Sequence, residues 1–196
     1  MAVLYTTVAQ SATAEEIIEK SRFIANMASV SSKEEAEAFI SAIKGQYRDA
    51  THNVPAYIIG DKMQIQWGSD DGEPGGTAGT PIVQMLQKEG ITNVVCVVTR
   101  YFGGIKLGTG GLVRAYTGCA KLALEKAGRL DVREYVSEII EIPYGNYDSL
   151  KYQESKSELF KIKECNFAEN ISLKIEYEKD DEEAVRTVIS GLIKRY

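Results

Sequence analysis

Two glycine-rich stretches, each running into a helical pattern and separated by one continuous apolar run, constrain this chain more than any other feature of its sequence. The first stretch is Gly68-Ser-Asp-Asp-Gly-Glu-Pro-Gly-Gly-Thr-Ala-Gly79, too rich in glycine and proline for regular structure. Thr80 and Pro81 then open a helix to about Glu89, with the proline at the first helical position, where its missing N–H costs nothing. Val94–Thr99 is apolar throughout, which predicts a strand covered on both faces. The second stretch, Gly103 to Gly111, reads as a loop. It leads into a helix whose Leu112, Tyr116, Ala120, Ala123 and Ala127 form one stripe, closed by Gly128.

The rest of the chain supplies partners for these elements. Residues 2–30 read as extended segments, and a helix follows that Ser31 or Ser32 caps and Glu34 and Glu35 support in its first turn. Val54–Ile59 and Met63–Trp67 read as strands joined at Gly60-Asp61. Beyond Gly128, Val132–Tyr144 is extended. The pattern then runs helix (146–159), strand (161–168), a turn at Asn170, an alternating strand (Ile171, Leu173, Ile175, Tyr177) and a helix lined by Ala184, Val185, Val188, Ile189 and Leu192. That order is the β-α-β-β-α portion of a ferredoxin-like sandwich, whose last strand is absent from the pattern before the chain stops at Tyr196. The expected fold class is α+β, with domains at 1–132 and 133–196.

Composition excludes several classes of function. A net charge of −5 makes the whole molecule no obvious polyanion binder. Yet no acidic residue occurs between Glu89 and Glu125, where Arg100, Lys106, Arg114 and Lys121 all fall, so one local basic surface is expected. Three scattered cysteines and one histidine make no plausible zinc site or disulfide framework. The sequence points to no cofactor and no metal. The apolar runs are far shorter than the roughly 20 residues of a membrane span. No Lys or Arg precedes Lys20, so no secretory signal is recognised, and a cytoplasmic location is expected.

Glycine backbones ahead of a helix can turn their N–H groups toward an anion. By that logic Thr77 and Gly79 in the first loop, and Gly103, Gly104, Gly108, Thr109, Gly110 and Gly111 in the second, are candidate ligand contacts. Established phosphate motifs fail letter by letter: Gly103 to Gly108 has Walker spacing, but Thr109-Gly110 stands where Lys-Ser/Thr is required, and Val113 occupies the third glycine position of a dinucleotide fingerprint. The competing reading is that the glycines serve tight turns and close packing. Arg100, Lys106 and Arg114 could converge on phosphate, and Tyr101, Phe102 and Tyr116 offer faces for base stacking; alternatively, the aromatics are core and the cations solvated. Asp70, Asp71 and Glu73 form a carboxylate cluster that holds Mg²⁺, makes an ordinary turn, or bridges to Arg100 or Arg114. His52 is the sole histidine, either a general base without an identifiable partner or a hydrogen-bonded structural residue. No catalytic residue is assigned.

Together these segments resemble a known family. The Ser69–Gly79 stretch, Arg100-Tyr-Phe-Gly-Gly104 and Lys106-Leu-Gly-Thr-Gly-Gly-Leu-Val-Arg-Ala-Tyr116 are similar to the signature of the Impact family. Lys20-Ser-Arg-Phe-Ile24 and Ala50-Thr-His-Asn-Val-Pro-Ala-Tyr57 resemble its upstream motifs, so that the likeness covers about residues 15–128. Residues 135–196 resemble the more variable second domain of its bacterial members. The resemblance implies a first domain like the second domain of small-subunit ribosomal protein five, and a second like the fifth domain of elongation factor G. It also implies a translation-linked role. Eukaryotic relatives carry an extra N-terminal domain and regulate the kinase that phosphorylates initiation factor 2 by competing for its activator; that extra domain is not expected in this sequence, so the mechanism is not carried over whole. The leading expectation is a non-catalytic protein that binds RNA, the ribosome or a translation-machinery protein through the 68–116 surface. The alternatives are a phosphate- or nucleotide-binding enzyme using the same loops with Mg²⁺, and a protein-interaction module that binds no nucleic acid.

Overall fold

A computed structural model describes residues 3–193 of the 196-residue chain. Tyr5–Val132 form one compact unit, and the chain from Arg133 onward forms a second, joined by Val3 and Leu4.

In the first unit, β2 (Ala12–Ile18), β3 (Ser21–Ser29), β4 (His52–Ile59), β5 (Ile65–Gly68) and β6 (Val94–Tyr101) make an antiparallel sheet of order β2-β3-β6-β4-β5. The apolar run has become the central strand, β6. Its Val94, Cys96 and Val98 pack under α2 (Gly79–Lys88) and α3 (Gly108–Ala127), while Val95 packs on the other side, toward α1 (Lys33–Gln46). That double burial is why β6 shows no polar alternation. A short ribbon pairs β1 (Tyr5–Val8) with β7 (Arg129–Val132).

Helix α1 starts as the sequence predicts. Ser32 Oγ accepts the Glu35 N–H at 3.2 Å, and the Glu35 carboxylate reaches back to the Ser31 N–H at 2.7 Å, a reciprocal cap. Two of the boundaries that differ from expectation have a clear local cause. The second strand of the Gly60 hairpin begins at Ile65, because Met63 takes a left-handed φ of 57° and belongs to the turn. Helix α3 begins at Gly108, so Gly108, Thr109, Gly110 and Gly111 form its first turn and are not loop. Glycine is a poor helix former, but here the partly buried Leu107 and buried Leu112 anchor the turn against the core.

The second unit is β8 (Tyr135–Ile142), α4 (Tyr147–Ser157), β9 (Phe160–Phe167), β10 (Ile171–Glu178) and α5 (Glu182–Ile193). Its sheet has the order β8-β10-β9, with β10 antiparallel to both neighbours. The alternating residues of β10 (Ile171, Leu173, Ile175 and Tyr177) are buried together with Leu150, Phe160 and Val185. Ala184, expected on the buried face of α5, is exposed. The expectation of an absent last strand turns on the chain end, and residues 194–196 lie outside the described residues. Among the described residues no helix is long and apolar enough to cross a membrane.

Candidate functional site

The α2/α3 face of the first sheet ends in a buried polar cluster. Cross-strand pairing sets His52 and Phe23 on either side of Arg100, and all three point toward the helices with the apolar residues that follow in each strand. The Arg100 guanidinium lies between the rings of Phe23 and Phe102, 5.4 and 5.3 Å from their centroids. Its Nη1 donates to Glu73 Oε1 at 2.6 Å, and its Nη2 donates to Ser21 Oγ at 3.2 Å. Tyr116, buried on α3, donates its hydroxyl to the same Glu73 oxygen at 2.7 Å and stands edge-on to Phe23. Burial, with the Glu73 hydrogen bond second, pushes the Tyr116 phenol far above its ordinary range. Glu73 thus ties the loop before α2 to β6 and α3 from inside the protein.

The three acidic residues of that loop face three ways. Asp70 accepts the Gly76 N–H at 2.7 Å on one oxygen, and the Ala78 and Gly79 N–H groups at 3.0 and 2.9 Å on the other. Burial works against its ionised form, yet these three donors hold its carboxyl below the usual range. Asp71 accepts from Lys44 Nζ and from the Asn53 N–H, both at 2.7 Å. Partial burial is again outweighed, first by the Lys44 hydrogen bond, and its carboxyl too is held low. One expectation is corrected here: the amides ahead of α2 do not await an anion, because Asp70 already occupies them. Of the three readings of the acids, the bridge to Arg100 is the one that Glu73 makes, and among the described residues no group of three His, Cys, Asp or Glu could hold a metal.

His52 clamps the same loop. Its Nδ1 lies 2.8 Å from the Asp71 carbonyl, which can only accept, so Nδ1 carries the proton. Its Nε2 stands 3.8 Å from Glu73 Oε1. The Cys96 and Cys119 thiols are buried, and desolvation pushes Cys119 up to about 12. Thr77 is also turned inward, with its hydroxyl donating to the Pro74 carbonyl at 2.6 Å. Glycines in this loop serve close packing, since a Cβ on Gly79 would lie 2.6 Å from the Ser69 backbone.

The second glycine stretch is built differently. Gly103 packs on the turn between β2 and β3, where a Cβ would come within 2.0 Å of the Lys20 carbonyl, and its N–H donates to Ser21 Oγ. Gly104 and Gly108 have φ of 87° and 69° and turn the chain into α3. The helix then starts without a cap: Leu107 offers no side-chain acceptor, and no acidic residue lies in the first turn. Gly108, Thr109 and Gly110 are exposed, so the orphan N–H groups and the positive end of a 20-residue helix face solvent. Lys106 and Arg114 flank this end and line, with Gly111 and Ile105, a cavity of about 550 Å³ that Glu16 and Glu19 border on the β2 side. Among the described residues neither Lys106 nor Arg114 has a salt-bridge partner.

The expected convergence of three cations therefore holds for Lys106 and Arg114 alone. Arg100 is 4% exposed and neutralised by Glu73, so it is an interior strut and no phosphate ligand. Tyr116 is equally unavailable to a base. Phe102 is 47% exposed, and Tyr101 is partly exposed, with its hydroxyl on Asp49 and Arg22 over its ring. Sequence reasoning did not place Ser21, Phe23 or Lys44 at the site. The Lys20–Ile24 segment holds the first two, but only the strand register reveals that they meet Arg100.

Residues 19–124 match the family described as the Impact N-terminal domain. IMPACT family member YvyE of Bacillus subtilis is 40% identical over 184 residues, covering 92% of this chain and 82% of its own. IMPACT family member YigZ of Escherichia coli is 44% identical over 117 residues, covering 58% and 57%. A crystal structure described as that of a hypothetical protein superposes with a TM-score of 0.64 at 30% identity, over 97% of this chain and 93% of the other. The motifs that build the buried cluster and the open end of α3 lie within the matched region, and the chain belongs to the Impact family.

Proposed function

We propose that this protein acts in translation as a non-catalytic binder of RNA or of a ribosome-associated partner, using the open N-terminus of α3 with Lys106 and Arg114. The observation that carries this reading is electrostatic. A helix N-terminus favours negative charge, and here the first turn holds no acid while Lys106 and Arg114 stand beside it without a salt-bridge partner among the described residues, with Glu16 and Glu19 bordering the cavity on its β2 side only. Backbone N–H groups of Gly108, Thr109 and Gly110 can donate to phosphate oxygens, and the bare glycines let a sugar-phosphate chain come close. The translation link comes from the Impact resemblance and its ribosomal and elongation-factor analogies. Cytoplasmic location follows from the same reading.

RNA affinity measured across a salt series tests it, with the natural protein beside Lys106→Glu/Arg114→Glu. Binding that weakens steeply with salt, and a slope of log K against log salt shallower by about 1.5–2 in the double variant, is the expected result. Equal slopes for the two proteins would remove RNA from this surface. Absence of RNA binding by the natural protein, with a protein partner lost on the same substitutions, would give the surface to a protein-interaction role instead.

A further inference from the structure

The other face of the first sheet carries a second opening that the α3 surface does not explain. Helix α1 packs over β6 and β4, and α2 covers β5 from the opposite side. The α1-side face of β5 is left without a helix. Trp67 stands there, 44% exposed, directly across from the buried Tyr57 in the β4–β5 register. The two rings are stacked, with centroids 5.3 Å apart and planes inclined by 29°. Between them and α1 lies a cavity of about 460 Å³, within the size range of small-ligand sites. Pro55, Tyr57 and Trp67 line it on the sheet side, and the helical period brings Lys33, Glu37, Ser41 and Lys44 to its wall.

Those walls select among flat ligands. A π face accepts any planar ring, and Tyr57 beneath fixes the indole so that little side-chain freedom is lost on stacking. Two ammonium groups against one lining carboxylate, Glu37, then favour a ring that carries negative charge. Lys33 is only loosely engaged, 3.4 Å from Glu37 in an exposed pair one helical turn away, the kind of contact that a phosphate readily replaces. Lys44 is held at 2.7 Å by Asp71 and keeps 41% of its side chain exposed. We propose that this cavity binds a nucleotide unit, with the base stacked on Trp67 and the phosphate set against Lys33 and Lys44. Free mononucleotides and unpaired nucleotides of a strand share this chemistry.

Trp67 is the single tryptophan of the chain, so its fluorescence reports on this cavity alone. The test titrates the full chain with adenosine monophosphate, adenosine and a short oligoadenylate. Saturable quenching by the monophosphate is expected, with adenosine binding about two- to fivefold more weakly, the worth of exposed charge pairs. Lys33→Gln should narrow that gap. Lys106→Glu/Arg114→Glu should leave monophosphate quenching unchanged, which keeps this site separable from the α3 surface. Tighter binding of oligoadenylate than of the monophosphate, compared per nucleotide, assigns the site to a strand; equal or weaker binding assigns it to free nucleotides. Lack of saturable quenching by either at millimolar concentration overturns the proposal, as does adenosine binding as tightly as its monophosphate.

Discussion

The two glycine-rich stretches look alike in composition and end in opposite electrostatic states. In the loop before α2, Asp70 folds back onto the amides of Gly76, Ala78 and Gly79, and Glu73 turns inward to Arg100 and Tyr116. Every strong charge there is answered within the chain. Ahead of α3, the glycines allow contact with the β2–β3 turn, but no carboxylate closes the helix end, and Lys106 and Arg114 add to its positive field. The difference teaches that a glycine loop before a helix is no anion site in itself. What decides is whether the protein has already spent an acid on it.

The sharpest break of the first loop is Glu73→Ala. It leaves a buried guanidinium without its counter-charge and a buried phenol without an acceptor, and should cost about 3–5 kcal/mol in urea or thermal unfolding. Glu73→Gln, which keeps one acceptor, should cost less. Gly103→Ala comes next: its methyl group meets the Lys20 backbone, which cannot swing away, and a loss of about 2–3 kcal/mol is expected in the same assays. Asp70→Asn weakens the cap of α2 and should cost about 1–2 kcal/mol at neutral pH.

The Asp70 variant also carries a pH signature. Asp70 and Asp71 titrate lower in the folded chain than the value near 3.8 of an unperturbed aspartate. The unfolded chain therefore binds more protons in that window, so stability rises with pH there. The contribution is complete above the unfolded value and is lost as pH falls through the folded ones. Asp70→Asn should flatten the acid limb of stability against pH relative to the natural protein, and an unchanged limb would show that Asp70 is not the cap.

How much of this was legible in the sequence depends on which forces act locally. The buried β6, the capped start of α1 and the amphipathic stripe of α3 follow from periodicity and local hydrogen bonding, which a linear sequence displays. The start of α3 was misplaced because three glycines argue for loop, and only packing of Leu107 and Leu112 against the core turns them into helix. The site divided in the same way. Lys106 and Arg114, exposed and near in sequence, were found together. For Arg100 the sequence leaves phosphate contact and a bridge to the nearby acids both open, because its neutralising partner, Glu73, lies 27 residues away and is reached only through the fold. Asp70, Asp71 and Glu73 looked like one cluster because adjacency in sequence says nothing of direction, and the left-handed Asp71, with φ of 47°, sends successive side chains apart. Trp67 stood out in no motif, since its exposure depends on which strand α1 leaves uncovered.

The contrast between the two helix ends is tested most directly at Thr109, an exposed residue in the first turn of α3. Thr109→Glu supplies the acid that the helix lacks, and unfolding and RNA affinity are measured on the same preparation. The account predicts a stabilisation of about 0.3–1 kcal/mol together with weaker RNA binding, because one carboxylate satisfies the helix end and displaces the phosphate. A variant that is stabilised yet binds RNA as tightly as the natural protein would contradict the claim that the open end of α3 is the anion site.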